Sequence, residues 1–451
     1  MTRSPWPTFA IASVAVFLVS LDATVLYAAF PALRSAFPDA SPPDLSWVLN
    51  AYTVVYAALL VPAGRFADLR GRKQTFLAGV ALFVIGSVAC GLAPNAGALI
   101  GARAGQAIGA ALLLPASLAI VLGAFPAERR AVAVSLWGAV SGLAAAIGPS
   151  AGSLLVDHFG WRSAFFINLP IGLFTIWRGA RVLVESRDPS KGARIDFVGV
   201  ALLIAGVGAL ALGLVRSQEL GWTAASVLGP LVAGPLALAL FVAWARRAPS
   251  PAIDLSLFRD RTYRFVNLAT LCFGAAFAIM FFSFFSFMVG LWHYSLSRAG
   301  VAVTPGPLLV IPTAIICGRI AARVGHRRLL VGGALVFASA GLWFASVPGV
   351  EPHYLTHYLP GLVLSGLGTG MVLPSLSAAA VAHLPPARFG VGSAVNQAIR
   401  QIGGVLGVAI AVVVAGGASP TIGDFTAIGL WMAGLAMATA VLCAPVDTRP
   451  R

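Results

Sequence analysis

Long apolar stretches follow one another along almost the whole chain, separated by short connectors rich in Arg, Gly, Pro and Asp. A stretch of roughly 18 or more such residues crosses a ~30 Å hydrocarbon core as an α-helix. The pattern predicts fourteen spans, at 9–30, 45–64, 76–94, 97–122, 131–156, 163–184, 196–215, 223–245, 264–291, 300–323, 329–347, 356–382, 391–415 and 425–444. The first span has no short apolar core followed by a small-residue cleavage site, so it reads as a retained helix. The tail after the last span is too short for a soluble domain, which leaves no globular module to carry catalysis.

The connectors repeat. Gly64 to Lys73 reads GRFADLRGRK and Gly318 to Arg327 reads GRIAARVGHR, matching at Gly64/Gly318, Arg65/Arg319, Ala67/Ala321 and Gly71/Gly325. Each follows the second helix of a six-helix block. The expected fold is therefore an all-α polytopic membrane protein: a six-helix bundle over 1–190, two inserted linker helices over 191–247, and a second six-helix bundle over 248–451. Transporters are commonly built from such repeats, with the substrate site near the midplane between halves.

Composition agrees. The chain has 451 residues, 59% hydrophobic and 10% charged, with mean hydropathy +0.91; soluble domains carry about 25% charged residues. The net charge of +15 would suggest nucleic acid in a soluble protein. Its placement argues otherwise. With both termini cytoplasmic, only Arg34, Arg162, Arg216 and Arg298 of the 30 basic residues fall on the outer side, Arg103 and Arg400 fall inside spans, and the rest are cytoplasmic. That is the positive-inside asymmetry, and it removes nucleic acid as a partner. Lysine is confined to Lys73 and Lys191 in an Ala- and Gly-rich chain, which points to a GC-rich bacterial genome. The four cysteines lie singly in apolar stretches without metal-ligand spacing and read as core residues.

Of the 15 acidic residues, only Asp22 lies well inside a span. A charge at the helix centre costs ~2.5–3.5 kcal/mol on translocon scales, so such a residue is functional by default. At ~1.5 Å per residue Asp22 is ~10 Å from the outer face and Arg103, on the antiparallel fourth span, ~9 Å from it. The depths match, and the pair is expected to serve proton coupling. The alternative is a purely structural ion pair. On the thirteenth span Arg400 is one turn from Asn396 and beside Gln401; with Tyr27 and Gln106 these are candidate cavity residues, or else a helix–helix hydrogen-bond network.

In the first connector, Gly64 and Gly71 allow a tight turn and close helix approach. Asp68 can accept from helix N-terminal amides or pair with nearby arginines. With Arg65, Arg72 and Lys73 the loop is expected to gate rather than bind. Gly148, Pro149 and Gly152 can weaken the fifth span, and glycines four apart, such as Gly101, Gly105 and Gly109, allow close helix crossing. The aromatics from Phe281 to Phe287 are expected to face lipid or neighbouring helices, with one or two lining an apolar cavity.

These residues resemble those of a known family. GRFADLRGRK is similar to the helix 2–3 loop motif of the major facilitator superfamily, and LDATVLYAAFPAL (Leu21 to Leu33) to a first-helix motif of its fourteen-helix drug:proton antiporter branch. RAGQAIGAA (Arg103 to Ala111), the Gly148-Pro149…Gly152 segment with WRSAFFINLPIG (Trp161 to Gly172), and GSAVNQAIRQIGGVLG (Gly392 to Gly407) resemble the fourth-, fifth- and thirteenth-helix segments. Ala107, Ala144, Ala151 and Ser153 stand where the motifs usually carry glycine. The resemblance implies proton-coupled export of hydrophobic or amphipathic small molecules (multidrug efflux). It implies a monomer in the bacterial inner membrane, with protons, lipid and small-molecule substrate as partners and the proton gradient instead of a cofactor. Rival readings are an exporter of one endogenous metabolite or lipid, and, in another class, a membrane-embedded enzyme or passive channel. No HExxH, GxSxG or phosphate loop supports an enzyme.

Overall fold

The computed structural model describes residues 4–126, 129–187, 196–384, 388–415 and 420–448. Among them the chain is helical, with no strand. The helices are α1 (Trp6–Ala36), α2 (Pro42–Arg70), α3 (Arg72–Gly91), α4 (Ala96–Ala124), α5 (Arg130–Phe159), α6 (Ser163–Phe166), α7 (Asn168–Val182), α8 (Phe197–Leu220) and α9 (Ala225–Ala245). They continue as α10 (Arg261–Gly290), α11 (Leu296–Val303), α12 (Pro305–Val324), α13 (Arg327–Ser346), α14 (Leu359–Val381), α15 (Phe389–Ala415) and α16 (Ile422–Cys443). Among the described residues, twelve helical segments are long and apolar enough to cross a membrane. The thirty-residue α5 and the α6–α7 pair fill the two other positions that the sequence pattern assigns to spans.

Polar residues placed at the connectors start the helices. Asn95 Oδ1 accepts the Ala98 amide at 2.8 Å, Asp260 Oδ1 that of Tyr263 at 2.7 Å, and Thr421 and Asp424 close a capping box on α16. Two stretches read as single spans are broken. Pro305 has no amide to donate to the Val301 carbonyl, which the Thr304 amide takes instead, so the α-helical ladder lapses after Val303 and α12 restarts with proline in its first turn, Thr304 itself keeping helical φ/ψ. Pro170 cannot donate to the Phe166 carbonyl, and the chain breaks at Ile167 between α6 and α7.

Within the first seven helices α3 packs on α4 and α7, α2 on α4, and α1 on α5. Within the last seven α10 packs on α15 and α16, α13 on α14 and α16, and α12 on α14. The two groups meet through α2 with α15, α5 with α11 and α12, and α1 with α10. The α8–α9 hairpin leans on the α2–α15 seam through α8, where Val207 and Ala211 join Val54 and Val405 in one apolar cluster. The proposed boundary at 190–191 lies outside the described residues. Large apolar side chains point outward, with Ile85 63% and Leu236 58% exposed, as lipid-facing helices require. Of the two surroundings expected for the α10 aromatics, neighbouring helices are the one observed: Phe281, Phe282, Phe284, Phe285 and Phe287 are all buried, with ring contacts to α1, α13, α16 and the segment before α14. None faces lipid.

Candidate functional site

Asp22 is buried in the middle of α1, 2% exposed, and Arg103 on α4 is 1% exposed. Three local features bring polar partners to them. The break at Ile167 sets Asn168 at the start of α7, with its side chain turned inward. Gly86 lets α3 and α4 touch: a Cβ there would lie 2.6 Å from Gln106 Cα, so no larger residue fits. That contact puts Ser87 against Gln106. Gln106 itself is one turn beyond Arg103 on the same face of α4.

The resulting network is almost fully bonded. Arg103 Nη1 donates to Asp22 Oδ2 at 2.6 Å and to Gln106 Oε1 at 2.6 Å, and its Nε donates to the Val48 carbonyl at 3.1 Å. Gln106 Nε2 donates to Asp22 Oδ1 at 3.0 Å and to Ser87 Oγ at 2.7 Å. Asn168 Nδ2 donates to Asp22 Oδ1 at 2.9 Å and to Ser87 Oγ at 3.2 Å. The Tyr52 ring lies 4.1 Å from the guanidinium carbon. Every group around the carboxylate is a donor, the arrangement that an ionised acid needs. Ion pair and amides together offset the desolvation that an isolated membrane charge suffers. Depth along the helices anticipated the pair. Ser87 and Asn168 went unnoticed, because neutral polar residues carry no signal of their own in a span.

At the connector between α2 and α3, Gly71 adopts φ 120° and ψ 131°, ending α2 and starting α3 in one residue. That φ lies where side-chain-bearing residues are strained. Asp68 pairs with Arg72, Oδ1 accepting from Nε at 3.0 Å and Nη2 at 2.9 Å. The N-terminal amides of α3 belong to another acid. Glu185, past the end of α7, accepts the Lys73 amide through Oε1 and the Gln74 amide through Oε2, each at 3.1 Å. Arg72 N donates to the Ser186 carbonyl, and Lys73 Nζ to that of Ala180. Glu185 was missed as a loop acid; a carboxylate beside a helix start is the signal that would have found it. Arg65 has Asp254 and Asp196 as its electrostatic neighbours. Gly64 rests on Pro115 of α4. In the second copy His326, the residue before α13 that matches Arg72, donates its amide to Thr448 Oγ1 at 2.8 Å, where Arg72 donates to the Ser186 carbonyl.

Gly148 and Gly152 press α5 onto Thr24 and Val25 of α1, a Cβ on Gly152 falling 2.9 Å from Val25 Cα. Pro149 leaves α5 continuous. The same stretch reaches the other half: Ser150 bonds Thr304, Ser153 packs on Gly300, and Asp157 accepts from Ser297. Gly109 is tightly packed, whereas Gly101 and Gly105 face open space.

The C-terminal candidates do not form one cluster. Asn396 is buried and donates to Asn267 Oδ1 at 3.0 Å and Thr270 Oγ1 at 2.9 Å on α10. Arg400 instead donates to Gln397 Oε1, at 3.1 Å from Nε and 2.8 Å from Nη2. Gln401 is half-buried. Tyr27 is half-buried against Phe281, ring centroids 5.8 Å apart, and stands apart from the Asp22 hydrogen bonds. A surface cavity of about 520 Å³ lined by Phe37, Asn95, Trp161 and Arg162 lies roughly four turns beyond Asp22 and touches none of these groups.

Comparison with known proteins places this geometry. Residues 12–408 match the model of the Major Facilitator Superfamily. The multidrug resistance protein Stp of Mycobacterium tuberculosis is 33% identical over 91% of this chain and 76% of its own length. The cephamycin export protein CmcT of Amycolatopsis lactamdurans is 33% identical over 100% of this chain and 95% of its own. The tetracenomycin C resistance and export protein of Streptomyces glaucescens is 33% identical over 90% of this chain and 75% of its own. Among solved structures, a bacterial homologue of the human drug peptide transporters superposes with TM-score 0.68 over 98% of both chains at 16% identity, a likeness of fold alone. The chain belongs to the Major Facilitator Superfamily, among its multidrug and antibiotic-resistance exporters, and is a transport protein rather than an enzyme.

Proposed function

We propose that the chain is a proton-driven exporter of hydrophobic or amphipathic small molecules. It works as a monomer in the bacterial cytoplasmic membrane with both termini inside, powered by the proton gradient and requiring no cofactor. The observation that carries this reading is Asp22, buried and held by donors from α4 and α7. The roles for which the relatives are named, multidrug resistance and antibiotic export, supply the cargo class.

In this mechanism residues 1–190 and 248–451 rock about the midplane, with 191–247 as the linker pair. Asp22 binds and releases the proton. Arg103 and Gln106 hold the deprotonated carboxylate; when the halves move, the pair separates and the proton occupancy of Asp22 becomes tied to the conformation. The loop of Gly64, Arg65, Asp68, Gly71, Arg72 and Lys73 latches one end of the bundle. The Gly148-Pro149…Gly152 segment transmits motion between α1 and α11, both of which it touches.

Transport by protein reconstituted into liposomes, with and without an imposed pH gradient, tests this. An exporter of this kind accumulates substrate only when the gradient is present and oriented. Equal fluxes under both conditions would point to a channel and remove the proposal.

A further inference from the structure

The two arginines inside the membrane are treated differently. Arg103 has its carboxylate. Arg400, near the middle of α15, is half-buried. Two of its N–H groups converge on the single Gln397 oxygen. Among the described residues it has no carboxylate partner, and Nη1 has no hydrogen-bond acceptor. A guanidinium carries five donors and is always charged. A cation at this depth with only neutral partners is costly and demands a reason. It sits on α15, which packs on α2 at the seam between the halves and on α10.

The surroundings are those of a binding site. The Tyr56 phenol of α2 is the electrostatic neighbour of Arg400. Its hydroxyl is fully buried and lies against Gln397, the residue that also accepts from Arg400. Tyr52, one turn earlier, stacks on Tyr56 with centroids 5.8 Å apart and an interplanar angle of 19°, and its buried hydroxyl has no hydrogen-bond partner among the described residues. On α10, Gly274 packs on the Arg400 backbone, and one turn on Phe277 offers a half-buried ring. A fixed cation, phenol hydroxyls and aromatic walls suit a molecule with one acidic group and an apolar body.

We propose that Arg400, with Gln397 and Tyr56, forms a subsite for the acidic group of substrate, so that amphipathic organic acids, or zwitterions carrying a carboxylate, are the preferred cargo. The carboxylate takes the free edge of the guanidinium, a geometry suited to bidentate pairing, and accepts from the Tyr56 hydroxyl. The Tyr52–Tyr56 stack runs from this subsite to the Arg103 guanidinium. Cargo and proton sites therefore share α2.

This proposal deepens the export reading and rests on it for its biological meaning, but it is tested by binding. Purified full-length protein in detergent is titrated calorimetrically with 2-naphthylacetate and, separately, with its neutral methyl ester. The wild type is expected to bind the acid at least ~10-fold more tightly than the ester, as a charge-assisted contact implies. Arg400→Gln brings that ratio close to unity, Arg400→Lys retains part of it, and Tyr56→Phe, which keeps the stack, lowers it ~3-fold or more. Thermal unfolding of each variant separates loss of the site from loss of the fold. Equal binding of acid and ester by the wild type, or an acid preference that survives Arg400→Gln, overturns the subsite. Acid binding by protein that shows no gradient-driven transport in liposomes upholds the subsite and removes the export reading.

Discussion

At the scale of single residues the account rests on Asp22 and the donors around it. If Arg103 acts by holding that carboxylate, the two residues form one functional unit. In a double-mutant cycle Asp22→Asn and Arg103→Ala are then expected to be non-additive in gradient-driven transport, the double variant little worse than the worse single one. Additive losses would separate their roles. Gln106→Leu removes two donors from Asp22 and Ser87 and leaves Arg103 one acceptor short. A destabilisation of about 1–3 kcal/mol, measured by thermal unfolding in detergent, is expected from unsatisfied buried groups. Asp22 and Arg103 were legible because charge inside an apolar span is rare and depth can be counted along a helix. Ser87 and Asn168 were not: their position beside Asp22 depends on the close approach at Gly86 and the break at Ile167, which are properties of pairs of helices. Arg400 was legible as a cation inside a span; of the two readings for it and Asn396, a shared polar site or a helix–helix network, Asn396 takes the second, bonding across to α10, while Arg400 bonds Gln397.

At the scale of elements, the connector between α2 and α3 is a joint whose parts come from both sides. Asp68 and Arg72 tie the end of α2 to the start of α3, and Glu185 ties that start to the end of α7. Asp68→Asn is expected to slow turnover while leaving substrate affinity within a few-fold, because the joint is far from the midplane. Glu185→Gln is expected to behave in the same way, more mildly, since an amide keeps one acceptor for the helix amides. Initial transport rates over a range of substrate concentrations check both; a large affinity loss with normal turnover would contradict a gating role. The sequence pattern located this joint through Gly71 and the repeated motif and left Asp68 two partners, a nearby arginine or the helix amides; it takes the arginine, and the amides go to Glu185. Motif spacing says which residues are near in the chain, and Glu185 arrives from more than a hundred positions away. The breaks at Ile167 and Thr304 were hidden by hydropathy, which is blind to proline inside an apolar run.

For the whole molecule, the alternation of apolar runs, the placement of arginine and the repeated connector made the class and family legible without coordinates. The seating of α8 on the α2–α15 seam was not legible, because an apolar helix surface facing lipid and one facing protein have the same composition. Both termini are expected on the cytoplasmic side. Reporter fusions after Arg451 and in each connector check this, and an external report from the C-terminal fusion would overturn it. The charge inventory also limits the cargo. The acids of residues 248–451, Asp254, Asp260, Glu351, Asp424 and Asp447, all lie at connectors or caps. Lipophilic dications, which would need a second buried anion, are expected to be poor substrates beside matched monocations and neutral compounds in vesicle uptake. The most direct measurement of the central claim is uphill uptake of one amphipathic fluorescent substrate into inverted vesicles energised by a proton gradient, for wild type and Asp22→Asn at equal expression. The proton-coupling account predicts that the Asn variant loses accumulation against the gradient while downhill flux remains. Full gradient-driven accumulation by Asp22→Asn would contradict it.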